Sequence, residues 1–426
     1  MLNFHKKRQT SMMITILLVI ISLQMQCHNS SNGLPKNTAE YEDSSKNPEV
    51  SVKIVEAAKE IIYTNNDPFV IVCTNKDSTT AEYFSVSEIT VKSSRTGLVV
   101  YDKNYGKLAG DLSRIYFRQT IKNGIGRVNW KGYRGQVYIV SGKKSGSLDV
   151  INKLDIDSYL KGVLPKEMGI RELEEFEALK AQAVSARTYA LKKLSKSRGS
   201  RVLESTILDQ VYTGYEDEYN LANKAVDNTA GEAMMYKDKL ITAYYFAVCG
   251  GRTAGIDEVW GSPPQGYLVS INDENYCAWA KNYFWEDEFS KELLERRLNS
   301  YYKNKTGVGL SGTLKDIKVI TREESGRINV LKIYTSLKQY EIKGDNIRWA
   351  IRKSADYSKI LPSTLFDLKI GYGDYGNIET IKFVGRGNGH GIGMCQCGAI
   401  GRARQGQDYL TILSSYYNAI KIEKVY

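Results

Sequence analysis

One stretch constrains this chain more than any other: residues 154–191, LDIDSYLKGVLPKEMGIRELEEFEALKAQAVSARTYAL. Phe176, Leu179, Ala183, Ala186, Ala190 and Leu194 recur at intervals of three and four and so share one helical face. A face made so largely of alanine carries little side-chain bulk, so a neighbouring element must pack against it at short range. Glu172, Glu174, Glu175 and Glu177 cluster where the helix begins and complement the positive end of its dipole. Asp155 and Asp157 also read as structural, with Asp157 placed before Ser158-Tyr159-Leu160 as an N-cap would be. Glu167 is the acid left without such a role. It stands between Pro165-Lys166 and Met168-Gly169, where the backbone is expected to turn before the long helix starts.

A second pattern lies near the C-terminus. Gly385, Gly387, Gly389, Gly391 and Gly393 alternate with Arg386, Asn388, His390, Ile392 and Met394. The block lacks the lysine-serine ending of a phosphate loop and the spacing of a dinucleotide fingerprint. Alternating glycine suits a strand or hairpin pressed against another surface, with Arg386, Asn388 and His390 pointing one way, as the floor of a groove for a flat sugar strand would. His390 is the only histidine beyond residue 28 and is a candidate hydrogen-bond partner for a sugar or for Glu167.

The run YLKGVLPKEM followed by EALKAQAVSARTYAL resembles the signature of the stage II sporulation protein D / amidase enhancer family, whose members act on bacterial peptidoglycan. Further blocks follow in the same order: Asp209 to Gly214, Ala225-Val226 with Thr229-Ala230-Gly231, Gly250-Gly251-Arg252-Thr253, and GRGNGHGIGMCQCGAIGRA from Gly385 to Ala403. Together they cover residues 128–426, and an ordered set of blocks is far more specific than any single motif. The resemblance implies a lytic transglycosylase that cuts between N-acetylmuramic acid and N-acetylglucosamine in strands stripped of stem peptides. Glu167 then serves as the single acid and base. Such an acid needs a raised pKa, for which Leu164, Pro165 and Met168 offer an apolar setting. Gln182, Ser185, Arg187, Gln210, Tyr212 and Gln396 are candidates, with Arg386, Asn388 and His390, for holding sugar hydroxyls and acetamido groups. For any one of the polar residues in these blocks, satisfying buried backbone groups is the stronger reading. The other function the resemblance implies is a non-catalytic glycan-binding protein that stimulates a cell-wall amidase.

The start of the chain points outward. Lys6, Lys7 and Arg8 precede an apolar run from Met12 to Leu23, of signal-peptide length and short for a membrane span. The expectation is export to the cell envelope. Cys27 follows, a candidate for lipid modification, although Met25-Gln26 are not the small residues such a signal favours; cleavage or a retained anchor are the alternatives. In each case the membrane is reached only through this N-terminal segment. The formal charge of +11 falls to +8 when Lys6, Lys7 and Arg8 leave with the signal (11 − 3), and the remaining basic residues are spread among acids. Nucleic-acid binding wants a concentrated basic stripe, so a polyanionic envelope is the better partner.

The expected organisation is α+β: a signal over 1–27, a polar linker over 28–48, a β-rich region over 49–127, and a mixed domain over 128–426 in which 286–370 is a scaffold insertion. Without Cys27 the chain keeps Cys73, Cys249, Cys277, Cys395 and Cys397. Cys249 with Cys277 is the natural disulfide in an exported protein. Zinc is the rival, because some members of the family hold it through cysteine and histidine near these blocks. Here Asn282 stands where a histidine is expected, and Tyr245-Phe246-Ala247 lacks one before the Gly-Gly turn. A disulfide or free thiols therefore rank ahead of a metal, no cofactor is expected, and Cys249 and Cys277 are the ligands if there is one.

Overall fold

The computed structural model describes residues 47–85, 88–121, 124–196, 201–206 and 208–426. The expected signal sequence, Cys27 and most of the polar linker lie outside the described residues. No helix among the described residues is long and apolar enough to cross a membrane. The fold is α+β, and the chain divides into two units: residues 47–166 with 201–218, and residues 167–196 with 219–426.

The first unit is a sheet. Its strands are β1 (Glu49–Ala58), β2 (Glu60–Asn65), β3 (Phe69–Asn75), β4 (Thr80–Ser85), β5 (Ile89–Ser93), β6 (Leu98–Asp102), β7 (Lys107–Gln119), β8 (Gly126–Val128), β9 (Lys131–Tyr133), β10 (Gln136–Ser141), β11 (Leu148–Asp155) and β12 (Val202–Glu204). They run in the order β12-β1-β11-β10-β7-β6-β5-β2-β8-β9, with β3 joining β4 to β7. Strict alternation sets the inward face: along β11, Leu148, Val150, Asn152 and Leu154 are buried while their neighbours are not. Buried Asn152 is satisfied by donating to the carbonyls of Arg134 and Gln136 and by accepting from the Tyr212 hydroxyl at 2.7 Å. The expected boundary between residues 127 and 128 is corrected here. It would cut β8, which is hydrogen-bonded to β2 on one side and β9 on the other, and the same sheet continues through β11 to β12.

From β11 the chain enters the helix Ile156–Met168. Its cap is Asp155, whose Oδ1 accepts from the Ser158 amide at 2.9 Å, and not Asp157. Glu167 lies in the last turn of this helix rather than in a turn ahead of the next one. The turn comes at Gly169, whose φ of +68° is the left-handed conformation in which helices commonly stop.

In the second unit the helix Phe176–Ser195 is central. The expected single apolar face understates it, for Ala181 to Leu191 are buried without a break. Three helices, Asn220–Asn228, Gln396–Arg404 and Tyr409–Tyr416, and the strand Glu232–Tyr236 surround it, and alanine is what lets them approach from several sides. Two of the four acids at its start serve more than the helix dipole. Buried Glu175 is paired with Arg404, whose Nε lies at 3.0 Å, and with Arg171 at 3.6 Å. Glu177 accepts from the Tyr409 amide at 2.9 Å.

The expected scaffold insertion has a hydrophobic core of its own, wider than 286–370, because its packing runs from Trp285 to Phe383. The strands Phe284–Ser290, Ile378–Arg386 and Phe366–Tyr372 form one sheet, and Leu314–Arg322, Ile328–Thr335 and Gln339–Lys343 another. Phe289, Leu294, Leu298, Ile317, Leu331 and Phe383 fill the space between them and the helix Lys291–Thr306.

Candidate functional site

Glu167 opens onto a cleft of about 280 Å³ within the second unit. Met168 and Arg171 come with it from the helix end and the loop that follows. The opposing surface is made by Ala247-Val248, by the run Trp279-Ala280-Lys281-Asn282, and by Gln396, Cys397 and Ile400 at the start of the helix Gln396–Arg404. That helix begins where the Cys395 Sγ accepts from the Gly398 amide at 3.2 Å, an N-cap made by a thiol. Its first residue, Gln396, reaches back: its Nε2 lies 3.3 Å from Glu167 Oε2 and 3.4 Å from Gln182 Oε1. One carboxylate oxygen of Glu167 is thereby held by an amide that is itself held.

The cleft also presents an aromatic surface. Trp279 is 44% exposed, yet its indole is fixed at both ends. Its Nε1 donates to the Cys397 carbonyl at 3.2 Å, and the Arg404 guanidinium sits 4.1 Å over the ring, anchored in turn by buried Glu175. Such a held, half-exposed ring presents a rigid apolar face to the cleft. Sequence reasoning missed Trp279, Arg171 and Lys281. The signal available was a tryptophan standing between Cys277 and Asn282, two positions already singled out.

Of the expected substrate contacts, Gln396 alone lines this cleft. Gln182, Ser185 and Arg187 are fully buried in the central helix. Ser185 Oγ faces Met394 Sδ at 3.8 Å, and Arg187 donates to the Val226 and Glu232 carbonyls at 3.2 and 3.3 Å. Gln210 and Tyr212 belong to the other unit, where Gln210 accepts from the Tyr159 hydroxyl and Tyr212 serves Asn152. These five are corrected to buried residues that do not line the cleft: the polar groups of Ser185, Arg187, Gln210 and Tyr212 face interior partners, and Gln182 Oε1 meets Gln396 while its Nε2 is buried without a partner.

The glycine block is likewise not a groove floor. The strand Ile378–Arg386 ends where it begins, and Gly387, Gly389, Gly391 and Gly393 all take positive φ, so the segment is an irregular loop and its alternation is not that of a strand. A Cβ on Gly391 would lie 2.4 Å from the Arg327 Nε. Exposed Arg386 and half-buried Asn388 do not line the cleft; the Asn388 backbone pairs with that of Val248 in both directions, at 2.7 and 2.9 Å. His390 is turned inward among Tyr244, Phe246 and Trp260. Its Nδ1 accepts from the Ile392 amide at 3.0 Å, which leaves the proton on Nε2, 3.1 Å from the Tyr245 carbonyl. Burial, with Arg348 nearby, pushes its pKa down to about 4, so the ring is neutral and structural.

Cys249 and Cys277 do meet, with sulfurs 3.3 Å apart, as free thiols, one of the two states expected for them, and not as a disulfide. The reason is company: the Cys395 sulfur and an Asp273 carboxylate oxygen share the same buried spot, all four ligand atoms lying within 4.8 Å of one another. Hydrogen bonds from Cys249 and Cys395 hold the Cys277 thiol well below its usual range, while burial raises Asp273 to about 7. Cys397 stands outside this group, its pKa raised to about 11 by burial.

A family model described as Stage II sporulation protein matches residues 144–236, the stretch that contains Glu167 and the central helix. An uncharacterized protein of Brachyspira hyodysenteriae is 35% identical over 278 residues, 64% of this chain and 68% of that protein. This chain belongs to the stage II sporulation protein D / amidase enhancer family. The amidase enhancer of Bacillus subtilis is 31% identical over 285 residues, which cover 61% of this chain but 39% of the enhancer's length. The stage II sporulation protein D of Bacillus amyloliquefaciens is 28% identical over 294 residues, 64% of this chain and 76% of its own. Residues 271–393 match a second model, described as a domain of unknown function, that takes in the separate core around Phe289 and Phe383.

Proposed function

We propose that this family member is a peptidoglycan lytic transglycosylase, exported to the cell envelope, that cuts between N-acetylmuramic acid and N-acetylglucosamine in glycan strands stripped of their stem peptides. The observation that carries the reading is that Glu167 is the one carboxylate among the residues lining the cleft. Hydrolases of the common type need two carboxylates, one as acid and one as base or nucleophile. A lytic enzyme needs one. Protonated Glu167 gives its proton to the glycosidic oxygen, the bond from that oxygen to the muramyl C1 breaks, and N-acetylglucosamine leaves as the alcohol. The muramyl C6 hydroxyl then attacks C1 and returns its proton to Glu167, so the product carries a 1,6-anhydro ring and the acid is regenerated. Gln396 orients the carboxylate, Trp279 supports a sugar face, and Arg171 and Lys281 supply positive charge for an anionic polymer.

A second reading is favoured by the relative named amidase enhancer: binding of glycan without cutting, in support of a cell-wall amidase partner. One experiment separates the two. Peptide-free glycan strands are incubated with wild type and Glu167→Gln, and the products are read by mass spectrometry. The expected result is anhydro-ended fragments from wild type and a loss of about 100-fold to 10,000-fold in the variant. Equal release by both, or reducing-end products, overturns the assignment. Glycan binding with no release by wild type, together with faster cleavage by an added amidase, replaces catalysis with the enhancer reading.

A further inference from the structure

We propose that Cys249, Asp273, Cys277 and Cys395 hold one zinc(II) ion, a structural metal that clamps together three of the chain segments walling the Glu167 cleft. The four groups are separated in sequence and converge in a fully buried spot, each with no exposed surface. Tetrahedral zinc with Zn–S bonds of about 2.3 Å sets its sulfurs about 3.8 Å apart. The Cys249 sulfur lies 3.3 Å from that of Cys277 and 3.2 Å from Asp273 Oδ2, and no pair of ligand atoms is more than 4.8 Å apart. A disulfide could join only two of the sulfurs and would leave a thiol and a carboxylate facing it. A borderline-soft dication takes all four.

The surroundings are those of a ligand set already oriented. Backbone amides point at the sulfurs: that of Cys249 and that of Gly398 at Cys395 Sγ, both at 3.2 Å, and that of Gly251 at Cys249 Sγ, at 3.4 Å. The Asp273 carboxylate is divided in the same sense. The Tyr416 hydroxyl donates to Oδ1 and the Arg402 Nε lies 3.8 Å from it, while Oδ2 is turned to the thiols. Outer partners of this kind fix metal ligands in place. Three thiolates and a carboxylate around a dication leave surplus negative charge. Two nearly buried guanidinium groups answer it: Arg402, and Arg327, whose Nη2 lies 3.3 Å from the Cys249 carbonyl.

Each sulfur adjoins a part of the cleft wall. Cys249 follows Ala247-Val248, Cys277 precedes Trp279 to Asn282, and Cys395 precedes Gln396-Cys397. Four protein ligands leave no open coordination position, so the ion positions these segments and takes no part in bond breaking. Its presence does not depend on whether Glu167 cuts glycan.

The test uses the full chain, purified under reducing conditions without chelator. Elemental analysis should find about one zinc per chain, and exchange with cobalt(II) should produce thiolate-to-cobalt charge transfer and the visible bands of tetrahedral coordination. Cys249→Ser, Cys277→Ser and Cys395→Ser should each lose the metal, and Cys73→Ser and Cys397→Ser should keep it. Should the cluster variants fail to fold, the wild-type measurements decide alone. Wild-type protein without stoichiometric zinc that develops no thiolate-to-cobalt absorption overturns the proposal, as does mass-spectrometric detection of a Cys249–Cys277 disulfide in it.

Discussion

Gly391→Ala tests whether the glycine block is packing or binding surface. Gly391 has φ of +95°, outside the narrow left-handed region that other residues reach, and its added Cβ would meet the Arg327 Nε at 2.4 Å and Cζ at 2.6 Å. That guanidinium cannot swing away, because it is 1% exposed and tied to the Cys249 carbonyl. Gly406→Ala is the matched control: φ is +77° there, and nothing lies within 4 Å of the new Cβ. Left-handed backbone costs each variant about 1–2 kcal/mol. Overpacking adds about 1–3 kcal/mol, the upper part of that range for a rigid clash, and to Gly391→Ala alone. Taking the difference as about 2–3 kcal/mol, Gly391→Ala should melt roughly 4–12 °C below Gly406→Ala by calorimetry. Equal melting temperatures, with glycan binding lost only in Gly391→Ala, would refute the packing argument and restore the block as a groove floor.

Two further expectations concern His390 and Trp279. The folded pKa of His390, about 4, lies below the unfolded value of 6.5, so its contribution to stability is complete above pH 6.5 and is lost as pH falls from 6.5 to 4. The loss amounts to about 3 kcal/mol, and denaturant melts of wild type and His390→Gln should show a shallower decline across that window in the variant; parallel profiles would mean that the ring is not held neutral. Trp279→Ala should weaken binding of peptide-free glycan by about 2-fold to 12-fold, the worth of one aromatic contact of about 0.5–1.5 kcal/mol, with Trp279→Phe recovering part of it. Unchanged binding by calorimetric titration would remove the platform from the site.

Much of the fold was legible because it follows from near neighbours. The three-and-four spacing of Leu179, Ala183, Ala186 and Ala190 is a backbone period, and so is the alternation along β11; each appears in the structure where the pattern stands. Glu167 was singled out by elimination, and it does line a cleft, although two of the acids set aside as local, Glu175 and Glu177, are held by distant Arg404 and Tyr409. What the near neighbours of a residue do not carry is whether its side chain meets solvent, a cleft or another buried group. Gln182, Arg187 and Tyr212 stand in the same motifs as Glu167 and are buried, while Trp279 and Gln396 reach the cleft, and the Gln396 contact to Glu167 spans 229 positions. The alternating glycines have the period of a strand, yet backbone with positive φ cannot extend a strand, and that conformation is imposed by the Arg327 and Val248 groups packed against it. The sequence suggested Cys249 with Cys277, but Asp273 arrives at that pair from a loop 24 positions from Cys249, and Cys395 from a short strand 146 positions away. Sequence alone determined the helical and strand periods and the family, and it singled out Glu167. Tertiary structure decided which polar side chains surround that acid, because burial and coordination are properties of segments that meet only when the chain has folded.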